Sequence, residues 1–337
     1  MTREKWIGHI AVFFTALIFG LNIPIAKSLM PEWLSPLATS SLRMCFAACA
    51  FWIASLFIPA ERVSKKDLLL LFASSFFGIF LNQTSYIIGL SQTSPIDSSI
   101  IATSTPLLVM IIAFFALKEP ITIKKSIGVF LGLTSSLYLI YYSQTHPEDA
   151  PSSSLKGNLF CILGSILYAT YLVMTRNISG RYSPVTLMKW MFLFAAVCIL
   201  PFTYKDLQSA RIWAEIAPVD VYLRVLFVLF CATFMTYLLI PIGLKRIRPT
   251  TVGMYNYLQP LVATFVGIMF GQDHFSWDKL FTGLVIFYGV YLVTSSKSRA
   301  DIEAEQSKTS LKRKSSKNIP VFCKAEQEDS VNNLKNK

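Results

Sequence analysis

Arg43 is the residue around which any chemistry in this chain must be arranged. It lies within an apolar run at 36–58, and a charge deep in a membrane helix costs roughly 2.5–3.5 kcal/mol on insertion scales. Such a group faces a protein interior and needs a partner there: a carbonyl cage, a structural counter-ion, or an anion carried in by a ligand. Lys27 and Lys189 lie nearer the ends of their runs, where a long stem lets the ammonium reach the interface; Lys27 also stands where a substrate could meet it. No Asp or Glu falls at the middle of any apolar run. That pattern disfavours a carboxylate proton relay and favours recognition of a negative group over a purely cationic one.

Enzymatic chemistry has no foothold. The three histidines, His9, His146 and His274, are scattered, and the chain has no HExxH, no GxSxG and no glycine-rich phosphate loop. Cys45, Cys49, Cys161, Cys198 and Cys231 fall in apolar runs, Cys323 stands apart, and there is no CxxC. Neither a disulfide framework nor a metal site is expected, and no cofactor.

The elements that must hold these side chains are read from composition. Hydrophobic residues make up 53% of the chain and charged residues only 15%, against a usual charged share of about 25%. Runs long enough to cross a hydrocarbon core, which takes roughly 20 helical residues, lie at 6–29, 36–58, 67–90, 98–117, 126–142, 157–175, 184–202, 221–244, 251–271 and 279–295. The expected fold is all-α and integral to the membrane, with ten transmembrane helices. Residues 297–337 hold ten Lys or Arg against six Asp or Glu and few large apolar residues, the composition of a disordered basic tail.

The net charge of +12 follows from membrane topology and does not call for nucleic acid. Loops on the side of the N-terminus carry thirteen basic residues and those on the opposite side six, so both termini are expected in the cytoplasm.

One segment returns later in altered form. IGLSQTSPIDSSIIATSTP, Ile88 to Pro106, becomes IGLKRIRPTTVGMYNYLQP, Ile242 to Pro260, with uncharged SQTS replaced by basic KRIR. Five spans is an odd number, so a second five-span unit with the same fold enters the bilayer upside down, and its outer loop becomes an inner, basic one. Gly8 to Lys27 matches Gly157 to Arg176 in the same way, each stretch followed by a Ser-Pro that opens the next span, and Glu119 aligns with Asp273. The expected units are residues 1–145 and 146–296, two inverted five-helix repeats, followed by the tail. Pro106 and Pro260, at equivalent places, should kink their helices.

The stretches FGLNIPIAK (Phe19 to Lys27), SPLATSSLR (Ser35 to Arg43), TSPIDSSIIATSTPLLVMIIAFFALKEPIT (Thr93 to Thr122) and RPTTVGMYNYLQPLVATFVGIMFGQD (Arg248 to Asp273) resemble the drug/metabolite transporter superfamily, in its EamA-type ten-helix branch. The resemblance implies a multi-pass protein of a bacterial inner membrane that moves a small organic metabolite by alternating access, with export of an amino acid, related zwitterion or drug-like compound the expected direction and uptake or exchange the alternative. A receptor or scaffold acting through the tail is the competing class. It also implies a path bordered by spans 1, 3, 4, 6, 8 and 9. Those spans carry Asn22; Asn82, Gln83 and Tyr86; Thr103 and Thr105; Tyr168 and Tyr171; Tyr237; and Tyr255, Asn256 and Gln259. With Lys27 and Arg43 these are the candidate substrate-binding residues. Met191 stands where Arg43 would map in the second half, so the site should be asymmetric. The expected partners are a small-molecule substrate and membrane lipid.

Overall fold

The structure, a computed structural model, describes residues 3–117, 123–146, 153–175, 178, 180–244, 246, 255, 258–272 and 274–294. Among the described residues every regular element is helical. Seven helices are long and apolar enough to cross a membrane: Glu4–Ser28, Pro36–Phe57, Lys65–Ser91, Pro95–Ala116, Leu155–Thr175, Pro184–Gln208 and Val219–Ile240. Further helices cover Ile123–Thr145, Leu258–Met269 and Trp277–Thr294.

In chain order the segments are α1 (Arg3–Ser28), α2 (Pro36–Ala54), α3 (Lys65–Ser75), α4 (Asn82–Ser91), α5 (Pro95–Thr103), α6 (Thr105–Leu117), α7 (Ile123–Thr145), α8 (Leu155–Thr175), α9 (Pro184–Gln208), α10 (Arg211–Ala214), α11 (Val219–Leu226), α12 (Thr236–Leu244), α13 (Leu258–Met269) and α14 (Trp277–Thr294). Two of the long rods are not α-helical throughout. A π-helical stretch, Phe76–Leu81, joins α3 to α4, and another, Phe227–Met235, joins α11 to α12.

Local sequence starts these helices. α2, α5 and α9 each open on a Ser-Pro pair: Ser35, Ser94 and Ser183 accept from the backbone N–H groups of Ala38, Asp97 and Thr186 at 3.0, 3.0 and 3.2 Å. Proline in the first turn loses nothing, because its missing N–H would have had no helical partner. The fourth span breaks at Ser104, between α5 and α6. Pro106 has no N–H to give the carbonyl of Ala102, and the Thr105 hydroxyl donates to that carbonyl instead, at 2.7 Å. The kink expected at Pro106 is present, and its freed acceptor is satisfied from within the helix.

Packing pairs α2 with α9, α7 with α14, α4 with α8, and α1 with α12 and α13. Phe51 and Phe192 stack at 5.5 Å and 13° in the α2–α9 core. Close approach between helices is set by glycine. A Cβ on Gly89 would meet Cys161 Sγ at 2.6 Å and the Gly157 carbonyl at 2.8 Å, and one on Gly243 would meet Val12 Cγ2 at 2.2 Å. Large apolar side chains such as Phe115, Phe202 and Trp277 point outward and are exposed, as expected of a surface solvated by hydrocarbon.

The starts of α3 and α9 are tied together. Asp67 pairs with Arg181 at 2.9 Å and accepts from Tyr182 at 2.7 Å, while Glu61 accepts from the Ser183 backbone N–H at 2.9 Å. Bonds from the Thr186 hydroxyl and the Ser183 backbone hold the Glu61 carboxyl below its ordinary value of 4.5.

Candidate functional site

Arg43 is buried on α2, with 6% of its surface exposed. Its Nε donates to Thr233 Oγ1 at 2.9 Å, and Thr233 in turn donates to the Val228 carbonyl at 2.8 Å. No carboxylate lies within ion-pair distance of Arg43, and its terminal nitrogens have no acceptor, among the described residues. A buried charge with no counter-ion is costly. The seam beside it, lined by Leu29, Leu34, Thr39, Leu42 and Val228, is too narrow for a water molecule.

Five of the residues singled out in the sequence form a group linked to this charge through Tyr237 and Tyr86. Arg43 interacts electrostatically with Tyr237 and Tyr86. Gln83 Nε2 donates to the Tyr237 hydroxyl at 3.4 Å. Tyr168 and Tyr171 lie one turn apart on α8 with ring centroids at 5.7 Å, and both interact with Tyr237. The Tyr237 ring meets Phe192 edge-on at 5.1 Å. Tyr171 sits against Gly78 in the first π stretch, where an added Cβ would lie 2.3 Å from the ring. The two π stretches thus lead directly into the segments that carry Gln83, Tyr86 and Tyr237.

Two buried acceptors, Gln83 Oε1 and Asn22 Oδ1, have no hydrogen-bond partner among the described residues. A buried acceptor left unpaired costs about 1–3 kcal/mol, so each favours a donor brought by a ligand or by water. Around Tyr237 the group therefore offers one cation, Arg43, one unsatisfied acceptor, Gln83 Oε1, and four tyrosines, while Asn22 lies on α1.

Other candidates are occupied elsewhere. Asn82 Nδ2 donates to the Gly164 carbonyl at 2.8 Å, tying α4 to α8. Lys27 Nζ donates to the carbonyls of Leu90, at 3.3 Å, and Thr93, which lie at the C-terminal end of α4, where a cation is favoured. The Thr103 hydroxyl bonds within α5, and that of Thr105 reaches back across the break to Ala102 of α5. Tyr255 bonds His9 Nδ1 at 3.0 Å, and Gln259 is half-buried, with its backbone carbonyl facing Gly20. Lys189 lies over the Trp52 ring at 5.1 Å. Asn256, Glu119 and Asp273 lie outside the described residues.

Sequence reasoning missed three residues. Thr233 is fully buried and is the hydrogen-bond partner of Arg43; a lone hydroxyl in the apolar stretch FVLFCATFM was the available signal. Asp97, just outside the fourth apolar run, is fully buried and accepts from the Ser153 hydroxyl. Lys279, counted with the loop cations, is 2% exposed.

Comparison with known proteins agrees with this architecture. The profile described as the EamA-like transporter family matches residues 6–141 and 155–295. YetK of Bacillus subtilis, described as an uncharacterized transporter, is 23% identical over 306 residues, covering 89% of this chain and 91% of its own. An uncharacterized transporter of Archaeoglobus fulgidus is 21% identical, covering 86% of this chain and 98% of its own. A WAT1-related protein of Arabidopsis thaliana is 24% identical, covering 83% and 80%. A protein of known crystal structure superposes with a TM-score of 0.58 at 17% identity, covering 86% of this chain and 96% of the other.

Proposed function

The chain belongs to the EamA-like transporter family and is a multi-pass membrane transporter of small molecules, not an enzyme; from that premise we propose that it is a secondary carrier for a carboxylate-bearing metabolite, with an amino acid or related zwitterion the simplest fit. Arg43 carries the proposal. A buried guanidinium with terminal nitrogens to spare is an anion site, because those nitrogens match a carboxylate in a bidentate fork. Gln83 Oε1 and Asn22 Oδ1 supply the complementary acceptors for an ammonium or amide donor.

The proposed mechanism is alternating access by two inverted five-helix repeats, ten spans in all, exporting substrate from a cytoplasm that holds both termini, in a bacterial inner membrane. Several observations support the repeat. The π stretches fall in the third and eighth spans. Gly89 on Gly157 and Cys161 reappears, at matched places of the two sequence frames, as Gly243 on Gly8 and Val12. Gln83 and Tyr237, also matched by those frames, touch each other, as residues close to a pseudo-twofold axis do. Two halves so related give inward-facing and outward-facing states of similar energy.

Uptake into proteoliposomes tests the reading, with the common L-amino acids and their amides as probes. Transport of one or more acids, with Arg43→Gln losing the acid but not its amide, supports it. A carrier that takes only cations, equally well in wild type and Arg43→Gln, overturns it.

A further inference from the structure

Among the threonines of the eighth span, Thr233 and Thr236 are both fully buried and both return their hydroxyl proton to their own helix. Only one of them meets Arg43. Thr236 donates to the Ala232 carbonyl at 2.9 Å, four residues back, as threonine does in an ordinary α-helix. Thr233 reaches the Val228 carbonyl at 2.8 Å, five residues back, inside the π stretch Phe227–Met235.

We propose that Thr233 is the positioning residue for Arg43, and that the π stretch exists in this span to present it; the inference rests on the reading of Arg43 as the anion-binding group. The argument is one of protons and planes. Because the Thr233 hydroxyl proton is committed to Val228, its oxygen faces Arg43 with lone pairs only, as an acceptor for Nε at 2.9 Å. Nε lies in the guanidinium plane, so this bond fixes the plane. The two terminal nitrogens then stand at the far edge, oriented together for end-on, bidentate capture of a carboxylate. A flexible guanidinium would lose that advantage on every binding event, since a long side chain must then be ordered as the ligand arrives.

The π geometry has a specific part in this. Single π insertions recur at functional sites, and here the wider turn lets one side chain cap the carbonyl five residues back while still reaching across to α2. The first π stretch, Phe76–Leu81, has no threonine, and its residue Ile79 is buried in an apolar cluster. The polar use of a π turn is thus confined to the half of the site that faces Arg43.

The test compares Thr233→Val, Thr233→Ser and Thr236→Val with wild type and Arg43→Gln in proteoliposomes, measuring KM and kcat for the L-amino acid and amide probes. Thr233→Val should raise KM for the acid about tenfold, with little change in kcat and less than about twofold change for the amide. Thr233→Ser should restore wild-type KM to within about twofold. Thr236→Val, which removes a buried hydroxyl that does not touch Arg43, should not alter acid-over-amide preference. Should Thr233→Val fail to fold, Thr233→Cys replaces it, keeping the volume with a much weaker acceptor. If the Thr233 variants affect acid and amide alike, or serine does not rescue, Thr233 is structural only and the inference is overturned while Arg43 keeps its role. If Arg43→Gln itself leaves acid-over-amide preference intact, or no acid is carried at all, the underlying reading fails first.

Discussion

Arg43 bonds Thr233 at 2.9 Å across the interface between α2 and the eighth span, while the residues that the repeated sequence frames match to this pair, Met191 and Ile79, are both buried in one apolar cluster. The same place in the sequence frame is polar once and apolar once. Replacing a buried charge by well-packed apolar groups is often neutral or stabilising. The double substitution Arg43→Met with Thr233→Ile, which copies the counterpart, should therefore keep or raise the thermal midpoint in detergent while cutting transport of the acid by about tenfold or more. A large fall in thermal midpoint would show that Arg43 is held for structure.

Topology gives a second expectation. Reporter fusions in the connection 92–94 between α4 and α5 and at 245–250 should report opposite sides of the membrane, because the charge swap between SQTSP and KRIRP follows the positive-inside rule. Reporters on the same side would end the inverted-repeat reading.

Helix contact gives a third. Gly89→Ala sets a methyl group 2.6 Å from Cys161 Sγ and 2.8 Å from the Gly157 carbonyl, and overpacking of this kind costs about 1–3 kcal/mol. The thermal midpoint of the purified protein should fall, and Gly243→Ala, against Val12, should lower it too. Gly180→Ala, with nothing among the described residues within 4 Å, is the control and should leave it unchanged. Equal behaviour of all three would contradict the packing described.

Acid sensitivity at the α3–α9 tie gives a fourth. The Thr186 hydroxyl and the Ser183 backbone hold the Glu61 carboxyl below its ordinary value of 4.5. A depressed carboxyl contributes stability that is present above its unfolded value and is lost as pH falls through its folded value. The difference in thermal midpoint between wild type and Glu61→Gln should be constant near neutrality and shrink once pH drops below 4.5. A difference that grows on acidification would reverse the sign and refute the assignment.

Residues 297–337 give a fifth. With no apolar run among them, a chain truncated after residue 296 should reach the membrane and transport at the wild-type rate. Normal membrane levels with transport abolished would assign the tail a part in the cycle.

Much of this was legible in the sequence because its causes are local. Apolar runs mark the long helices, Ser-Pro marks their starts, and Pro106 marks the break at Ser104. The polar residues near Arg43 were legible as a set, since Gln83, Tyr86, Tyr168, Tyr171 and Tyr237 are conspicuous in apolar text. What each of them does was less so. Asn82 reads like a lining residue but is spent on the Gly164 carbonyl, a choice made by a partner 82 positions away. The second π stretch has neither glycine nor proline to announce it, so the register that brings Thr233 to Arg43 could not be foreseen. Asp97 and Lys279 look like loop charges because burial by another segment leaves no periodicity in their own.

The Ser-Pro starts of α2, α5 and α9 bear on biogenesis as well as on the finished bundle. A helix passing into hydrocarbon must leave no backbone donor bare, and most tertiary partners arrive only after the whole chain has been made. At these three starts the serine hydroxyl takes an N–H from the residue three places on, and the neighbouring proline has none to offer. Two of the four donor positions at that end are thus settled by a handful of consecutive residues as soon as they leave the ribosome. Each of these spans can therefore enter the bilayer with part of its first turn already closed, in the order of synthesis, before the glycine contacts between distant helices have formed.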